Sequence, residues 1–320
     1  MKMQKWSVLL AALTAAIATT PAHADEYPSK AINALVGFSA GGGTDVYARN
    51  MSATISKYLN DQPFVVVNKA GGAQIPALKV LKSSEPDGYS AMVVSMGSAI
   101  ISTGLRDRGV DLFKDMELVA QFGTTNIMVA ASKESGFKTP EDVIAGIKKA
   151  HANGTKLRWG SAGRASITTL AMIAWLNKHG VYEMTQDVPF KGGAKVRAAL
   201  MGNNVDFGSL GTSNASAYKE KINIIATFSG SRDPAQPDIP TLGDLKSDYV
   251  PMETPIIVAK LESAIKQSTE DPEFLARSKK AGQSVVFRSA SELATFADTL
   301  KKEWNDTIKV VRKRMEDAKQ

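Results

Sequence analysis

The chain has 320 residues, 39 Lys and Arg against 32 Asp and Glu, a formal charge of +7 and no cysteine. That length can bury a sizeable core and suggests roughly two domains of about 150 residues each, while the missing cysteines exclude disulfides and thiolate metal centres. The modest basic excess suits an anionic ligand; because Lys and Arg are scattered along the chain and not striped with aromatics, it argues against a nucleic-acid partner.

At the start, Lys2 and Lys5 precede an apolar run from Trp6 to Ala18, and Ala22-His23-Ala24 offers small residues at the positions a signal peptidase reads. A secretory signal peptide is predicted over residues 1–24, with export to the periplasm. The apolar run is shorter than the roughly 20 residues that a spanning helix needs.

Ile32 to Phe38 reads as a buried strand, followed by Gly41 to Gly43, with Thr44 or Asp45 as the cap of a helix. Tyr47, Met51, Ile55 and Leu59 recur every fourth residue, so the helix should bury one face. A glycine turn that opens a helix presents unpaired N–H groups and the positive end of the helix dipole, a ready place for an anion. No Gly-Lys-Ser/Thr follows the glycines, and their spacing does not give Gly-x-Gly-x-x-Gly. A P-loop and a dinucleotide fingerprint are therefore both excluded.

Strands at Phe64 to Val67 and Ser90 to Ser95 alternate with helical patterns, so a parallel sheet covered by helices is expected. The second strand ends in Asn68-Lys-Ala-Gly-Gly72, the third in Ser95-Met-Gly-Ser98, and Pro86-Asp-Gly-Tyr89 makes the turn between them. Ligands in open α/β sheets bind beyond the carboxyl ends of strands, so these loops should share an edge with the triple glycine.

A second unit begins near Gln121. Thr125 to Ala131 and Leu157 to Gly160 read as strands, and Thr139-Pro-Glu-Asp142 as a capped helix start. Gly160-Ser-Ala-Gly-Arg-Ala-Ser166 leads into Ile167 to Leu176, so apolar that this helix must be buried nearly all round. The strand, small-residue turn and helix start repeat the opening stretch, and two helix N-termini could face each other across a cleft. Arg164 and Lys191, in Val188-Pro-Phe-Lys-Gly-Gly193, are candidate ligand cations; Asp206, a like charge for an anion, should orient a helix start or Lys191. After Pro237, helical patterns run over Ile256 to Ile265, Asp271 to Ala281 and Ser291 to Arg314.

Catalytic groups are scarce. His151 and His179 lie at helix ends beside lysine and glycine, and no spacing of His and carboxylates resembles a metal site. A Ser-His or Cys-His nucleophile is hard to build from this chain.

Phe38-Ser-Ala-Gly-Gly-Gly-Thr-Asp45, Asn68 to Gly72, Pro86 to Tyr89, Gly160 to Gly163, Val188 to Gly192 and Pro240-Thr-Leu242 occur together and in that order. In this the chain resembles the periplasmic solute receptors of tripartite tricarboxylate transporters, the Bug or TctC-like family, over nearly its whole length after residue 24. The resemblance implies an α/β, two-lobed periplasmic solute-binding protein of type II, a Venus flytrap in which each lobe is a sheet covered by helices. It implies domain 1 over residues 25–122, domain 2 over 123–238, and a hinge crossing with return to domain 1 over 239–320. It further implies a monomer without cofactor or metal, not an enzyme, that binds a small carboxylate and meets the membrane permease subunits of its transporter.

The ligand-binding residues so implied are Phe38, Ala40, Gly41, Gly42, Thr44, Asp45, Gly71, Gly72, Ser95, Gly97, Ser98, Ser161, Ala162, Gly163, Arg164, Ser166, Lys191 and Asp206, with ordered water separating Asp45 from a bound carboxylate. Relatives carry one residue more in the Asn68 loop, where Pro76 here replaces a glycine. They also carry imidazoles near Ala165 to Thr169, and a crossover strand with a tryptophan between Leu242 and Thr254. The alternatives are an exported carboxylate-processing enzyme and a ligand sensor that signals to a membrane partner.

Overall fold

The computed structural model describes residues 27–105, 107–213, 215–249, 251–258 and 262–317; the expected signal peptide lies outside them. In the first half β1 (Ile32–Val36), α1 (Gly43–Ser52), β2 (Phe64–Asn68), α2 (Ile75–Ser83), β3 (Ser90–Ser95) and α3 (Met96–Gly104) alternate, and the single turn α4 (Leu112–Asp115) leads into a long strand, β4 (Ala120–Ser132). Then come α5 (Pro140–Ala152), β5 (Leu157–Ser161), α6 (Ile167–Lys178), β6 (Thr185–Pro189), α7 (Gly193–Met201), β7 (Phe207–Gly211) and β8 (Ile222–Thr227). The chain finishes with β9 (Glu253–Val258), α8 (Glu262–Glu270), α9 (Pro272–Lys280) and α10 (Ala290–Asp317).

The strands follow one hydrogen-bonded path, β2-β1-β3-β9-β4-β7-β5-β6, with β8 also on β4. β1 is parallel to β2 and β3, and β5 is parallel to β6 and β7, which is the expected βαβ pattern on each side. The two halves share β4. Its first part, to Asn126, pairs with β9, and its second part, from Ile127, pairs with β7 and β8.

Alternation along the strands decides what each face covers. Ile32, Ala34 and Val36 of β1, with Ala91 and Val93 of β3, join one apolar cluster with Tyr47, Met51 and Phe274; Leu35, Met92 and Val94 point into the other. In β4, Met128 and Ala130 face a third cluster with Val196 and Leu200, while Ile127, Val129 and Ala131 face the large one. Each of the larger aliphatic side chains among them contributes about 1.5–3 kcal/mol of burial. The large cluster runs through both halves, from Leu35 and Met92 to Trp159 and Trp175, and takes in Leu293, Leu300 and Trp304 of α10.

Three local expectations change. The helix begins at Gly43 with Gly42 as its cap, so Thr44 and Asp45 already lie in its first turn. It also stops at Ser52: a 3₁₀ turn over Ile55–Tyr58 carries the apolar spacing onward and keeps Ile55 and Leu59 buried. Ile256 to Val258, expected to open a helix, form part of β9, wedged antiparallel between β3 and β4. Between Leu242 and β9 the backbone stays on β8 and the strand end beyond it: Leu242 N–H reaches Thr227 O at 2.9 Å and Met252 N–H reaches Phe228 O at 2.8 Å. The other helix starts follow the sequence. Thr139 and Asp142 form a capping box below Pro140, and Ile167 to Ile173, Trp175 and Leu176 of α6 are all buried, as its composition requires.

Candidate functional site

The two halves meet at the carboxyl ends of their parallel strands. Ser39 N–H reaches Lys191 O at 3.2 Å, Arg197 Nη2 reaches Gly41 O at 3.3 Å, and Ile167 N–H reaches Ser98 Oγ at 3.2 Å. Between these contacts lies a cavity of about 50 Å³, room for a few waters and small for an organic acid.

Four helix openings converge on it. Gly43 and Thr44 belong to the first turn of α1, Ser95 and Ser98 to the cap and first turn of α3, Ser166, Ile167 and Thr168 to the start of α6, and Gly193 to the start of α7. First-turn N–H groups have no intrahelical acceptor and carry the positive end of the dipole, so two openings from each half aim partial positive charge at one space. Among the described residues, no charged side chain lines this cavity. Thr125, on its wall, turns its methyl toward Gly43 and Gly211, and the buried Ser161 hydroxyl has no hydrogen-bond partner among the described residues.

A second pocket of about 360 Å³ adjoins the first through Phe38 and Ala162, which line both. Gly71, Gly72, Gly163, Arg164 and Lys191 line this outer pocket. Of the residues expected from sequence, Phe38, Thr44, Ser95, Ser98, Ala162 and Ser166 therefore line the inner cavity, and five others the outer one.

Seven line neither. Ala40 is exposed, and Gly42 caps α1. Gly41 and Asp45 build the loop itself: the Asp45 carboxylate, 1% exposed, accepts from Gly41 N–H at 2.8 Å, Arg49 Nε at 2.9 Å and Asn68 Nδ2 at 2.8 Å. Its charge shapes the glycine turn. Gly97 sits in the first turn of α3, and Ser161 ends β5. Asp206 lies at the opposite end of the sheet, accepting from Arg158 N–H at 2.7 Å near the start of β5, so it orients neither Lys191 nor a helix opening.

The residue that sequence reasoning missed is Gln74. Its fully buried amide holds the end of β3 in a two-pronged clasp: Nε2 donates to Ser95 O at 2.9 Å, and Oε1 accepts from Ser95 N–H at 3.0 Å. That clasp sets the cap of α3. To reach it, Ala73 (φ 50) and Gln74 (φ 79) are held in the left-handed region, which costs about 1–3 kcal/mol each. Gly37 makes room, since a Cβ there would lie 2.5 Å from Gln74 Cβ. Pro76 takes the first turn of α2, where its missing N–H costs nothing. A glutamine one residue before an Ile-Pro helix start was the available signal. Gly43, Thr125, Ile127, Thr168, Gly193, Gly211 and Ile256 also line the inner cavity without having been singled out as site residues.

Behind the site, where β4 passes between the halves, Tyr47 donates to Thr124 O at 2.7 Å. Burial, then the nearby Asp233 carboxylate, push its phenol far above the usual range, so it stays a neutral donor. Asp233 receives Asn126 Nδ2 at 2.8 Å and the Ser284 hydroxyl, which ties β4 and the segment after α9 to one carboxylate. His179 Nε2 lies 3.2 Å from Ser247 Oγ at the end of α6, and no group of His, Asp and Glu among the described residues is arranged to hold a metal ion.

An α/β chain that closes two halves over a cavity lined by helix openings has the architecture of a solute receptor. A family model described as "Tripartite tricarboxylate transporter family receptor" matches residues 47–312, and the chain belongs to that family. Its members are receptors, so the chain is a binding protein and not an enzyme. It is 29% identical over 306 residues, 92% of this chain and 91% of the relative, to the UPF0065 protein in the gbd 5' region of Cupriavidus necator. In structure it is similar to MatC of Rhodopseudomonas palustris with bound malate, at 21% identity and a TM-score of 0.79, covering 88% of this chain and 100% of that one. It is also similar to an R. palustris protein solved with adipate, at 18% identity and a TM-score of 0.80, covering 89% and 98%. These likenesses give the fold, two lobes about a cleft. No described helix is long and apolar enough to cross a membrane.

Proposed function

We propose that this protein is an extracytoplasmic receptor that grips a small carboxylate in the inner cavity, between its two lobes, and delivers it as a monomer to the permease subunits of a tripartite transporter. The observation that carries the reading is the convergence of four helix openings on a cavity with no charged side chain. An anion there would be held by main-chain N–H groups and hydroxyls, with the dipoles adding to each contact. Malate and adipate in structures of the same fold support a carboxylate as the class of ligand.

In this reading the hinge lies in the middle of β4, between Asn126 and Ile127, and before β9, where pairing passes from one set of strands to the other. Ligand favours the closed form only by touching both lobes, and the cavity draws its walls from both. A thermal-shift screen tests the proposal. A carboxylate at 100 times its dissociation constant should add about 2.7 kcal/mol and raise the melting temperature by several degrees. A screen in which uncharged solutes shift the transition while every carboxylate leaves it in place would remove the anion argument.

A further inference from the structure

Arg197, on α7 of the second lobe, lines neither the inner cavity nor the outer pocket. Its guanidinium lies over the ring of Tyr218, 4.1 Å from the centroid, and from there Nη2 crosses the cleft to Gly41 O of the first lobe at 3.3 Å. Among the described residues it forms no ion pair, so a carboxylate does not account for its placement. The ring does: a planar cation on an aromatic face is attracted to it and keeps its fork of donors pointing one way. The acceptor is the informative end. Gly41 stands at φ 75, a left-handed turn, and its N–H is already bonded to Asp45 Oδ2 at 2.8 Å within the first lobe. Its carbonyl shares a planar peptide with the nitrogen of Gly42, the cap of α1. One end of the glycine turn is therefore fixed by its own lobe and the other by the opposite lobe. Both fixings come directly before Gly43 and Thr44, the first-turn residues of α1 that line the inner cavity.

We propose that Arg197 is a positioning residue for ligand retention: braced on Tyr218, it latches the Gly41 carbonyl when the lobes close, holds the glycine turn in its binding shape, and so sets how long a solute stays without touching it. The inference rests on the two lobes closing over a solute and is indifferent to that solute's charge. Opening must break this bond before release, whereas encounter with the open form does not involve it. Removing it therefore speeds dissociation and leaves association nearly unchanged.

Stopped-flow kinetics on the purified protein, with the solutes of different charge that raise its melting temperature most, test this. Arg197→Gln should raise the dissociation rate about fivefold to fiftyfold, by the same factor for each solute, with the association rate within about threefold of the parent. Arg197→Lys keeps the charge and a donor but loses the planar stack, so it should recover part of the loss. Tyr218→Leu leaves the arginine and removes its brace, and should speed dissociation less than Arg197→Gln does. Because the bond to Gly41 joins the lobes only when they are closed, the unliganded Arg197→Gln protein should melt within about 2 °C of the parent. A dissociation rate within twofold of the parent in a folded Arg197→Gln protein would overturn the inference. So would a factor confined to anionic solutes, since Arg197 would then act on the ligand's charge, or a drop in unliganded stability as large as the loss in affinity. Whether the solutes that bind are carboxylates is decided by the thermal-shift screen alone, so the latch and the anion argument can each fail while the other stands.

Discussion

Gly192 lies against the other lobe, and replacing it with alanine separates closure from folding. A Cβ at this position would lie 2.9 Å from Ser39 N and 2.6 Å from Ser39 Oγ, and Ser39 belongs to the other lobe. The hydroxyl can rotate away, but the backbone nitrogen cannot, because its N–H is bonded to Lys191 O at 3.2 Å. The lobes must therefore stay slightly apart. Overpacking of this kind costs about 1–3 kcal/mol, here in the closed state alone, and weakens ligand binding by about 5- to 150-fold. A second cost falls on both states: Gly192 has φ +153, and an alanine there is strained by about 1 kcal/mol, a loss of about 2–4 °C in melting temperature. Calorimetry with the best carboxylate, next to a melting curve without ligand, reads the two costs separately. Affinity unchanged within twofold in a folded Gly192→Ala protein would refute the closed arrangement from which the clash is derived.

Gln74→Ala should remove the clasp on Ser95, and with it one hydrogen bond to the Ser95 N–H and one to its C=O, at about 0.5–1.5 kcal/mol for each, seen as a lower denaturation midpoint together with weaker ligand binding. Asp115, Asp142 and Asp244 are held below the ordinary aspartate value of 3.8 first by main-chain N–H groups, from Asp111, from Lys138 and Thr139, and from Thr241. Their folded-state values lie below the unfolded ones, so their contribution is complete above pH 3.8 and disappears as the pH falls through the folded values. A melting-temperature profile against pH should turn down there, and Asp142→Asn should flatten that downturn.

Much of the fold was legible because it is locally encoded. The short apolar runs of β1 and β3, the Thr139-Pro140 helix start and the all-apolar α6 each announce their own burial, and tertiary packing agrees with them. The glycine turn at Gly41 to Gly43 and the Ser161 to Ser166 turn were visible as helix openings for the same reason. What the sequence hid is long-range. Nothing local tells a β-branched run such as Ile256 to Val258 that β3 and β4 leave a strand-wide gap for it, so helix spacing looked as good. Asp45 sits among glycines that suggest a ligand loop, yet Arg49 and Asn68 consume its charge. Asp206 is five residues from a strand end beside the site, and only the parallel pairing of β5 and β7 shows that it belongs to the other end. Gln74 became readable only once Gly37 and Ser95 were neighbours.

The central claim is that main-chain amides from opposed helix openings, and not a lysine, an arginine or a metal, hold the acid. A crystal structure of the protein with its tightest-binding carboxylate tests it most directly. The account predicts carboxylate oxygens about 2.7–3.2 Å from first-turn N–H groups of both lobes, among Gly43, Thr44, Thr168 and Gly193, with no cationic side chain against that carboxylate. An acid found with its carboxylates only on Arg or Lys side chains, or outside the cavity, would contradict it.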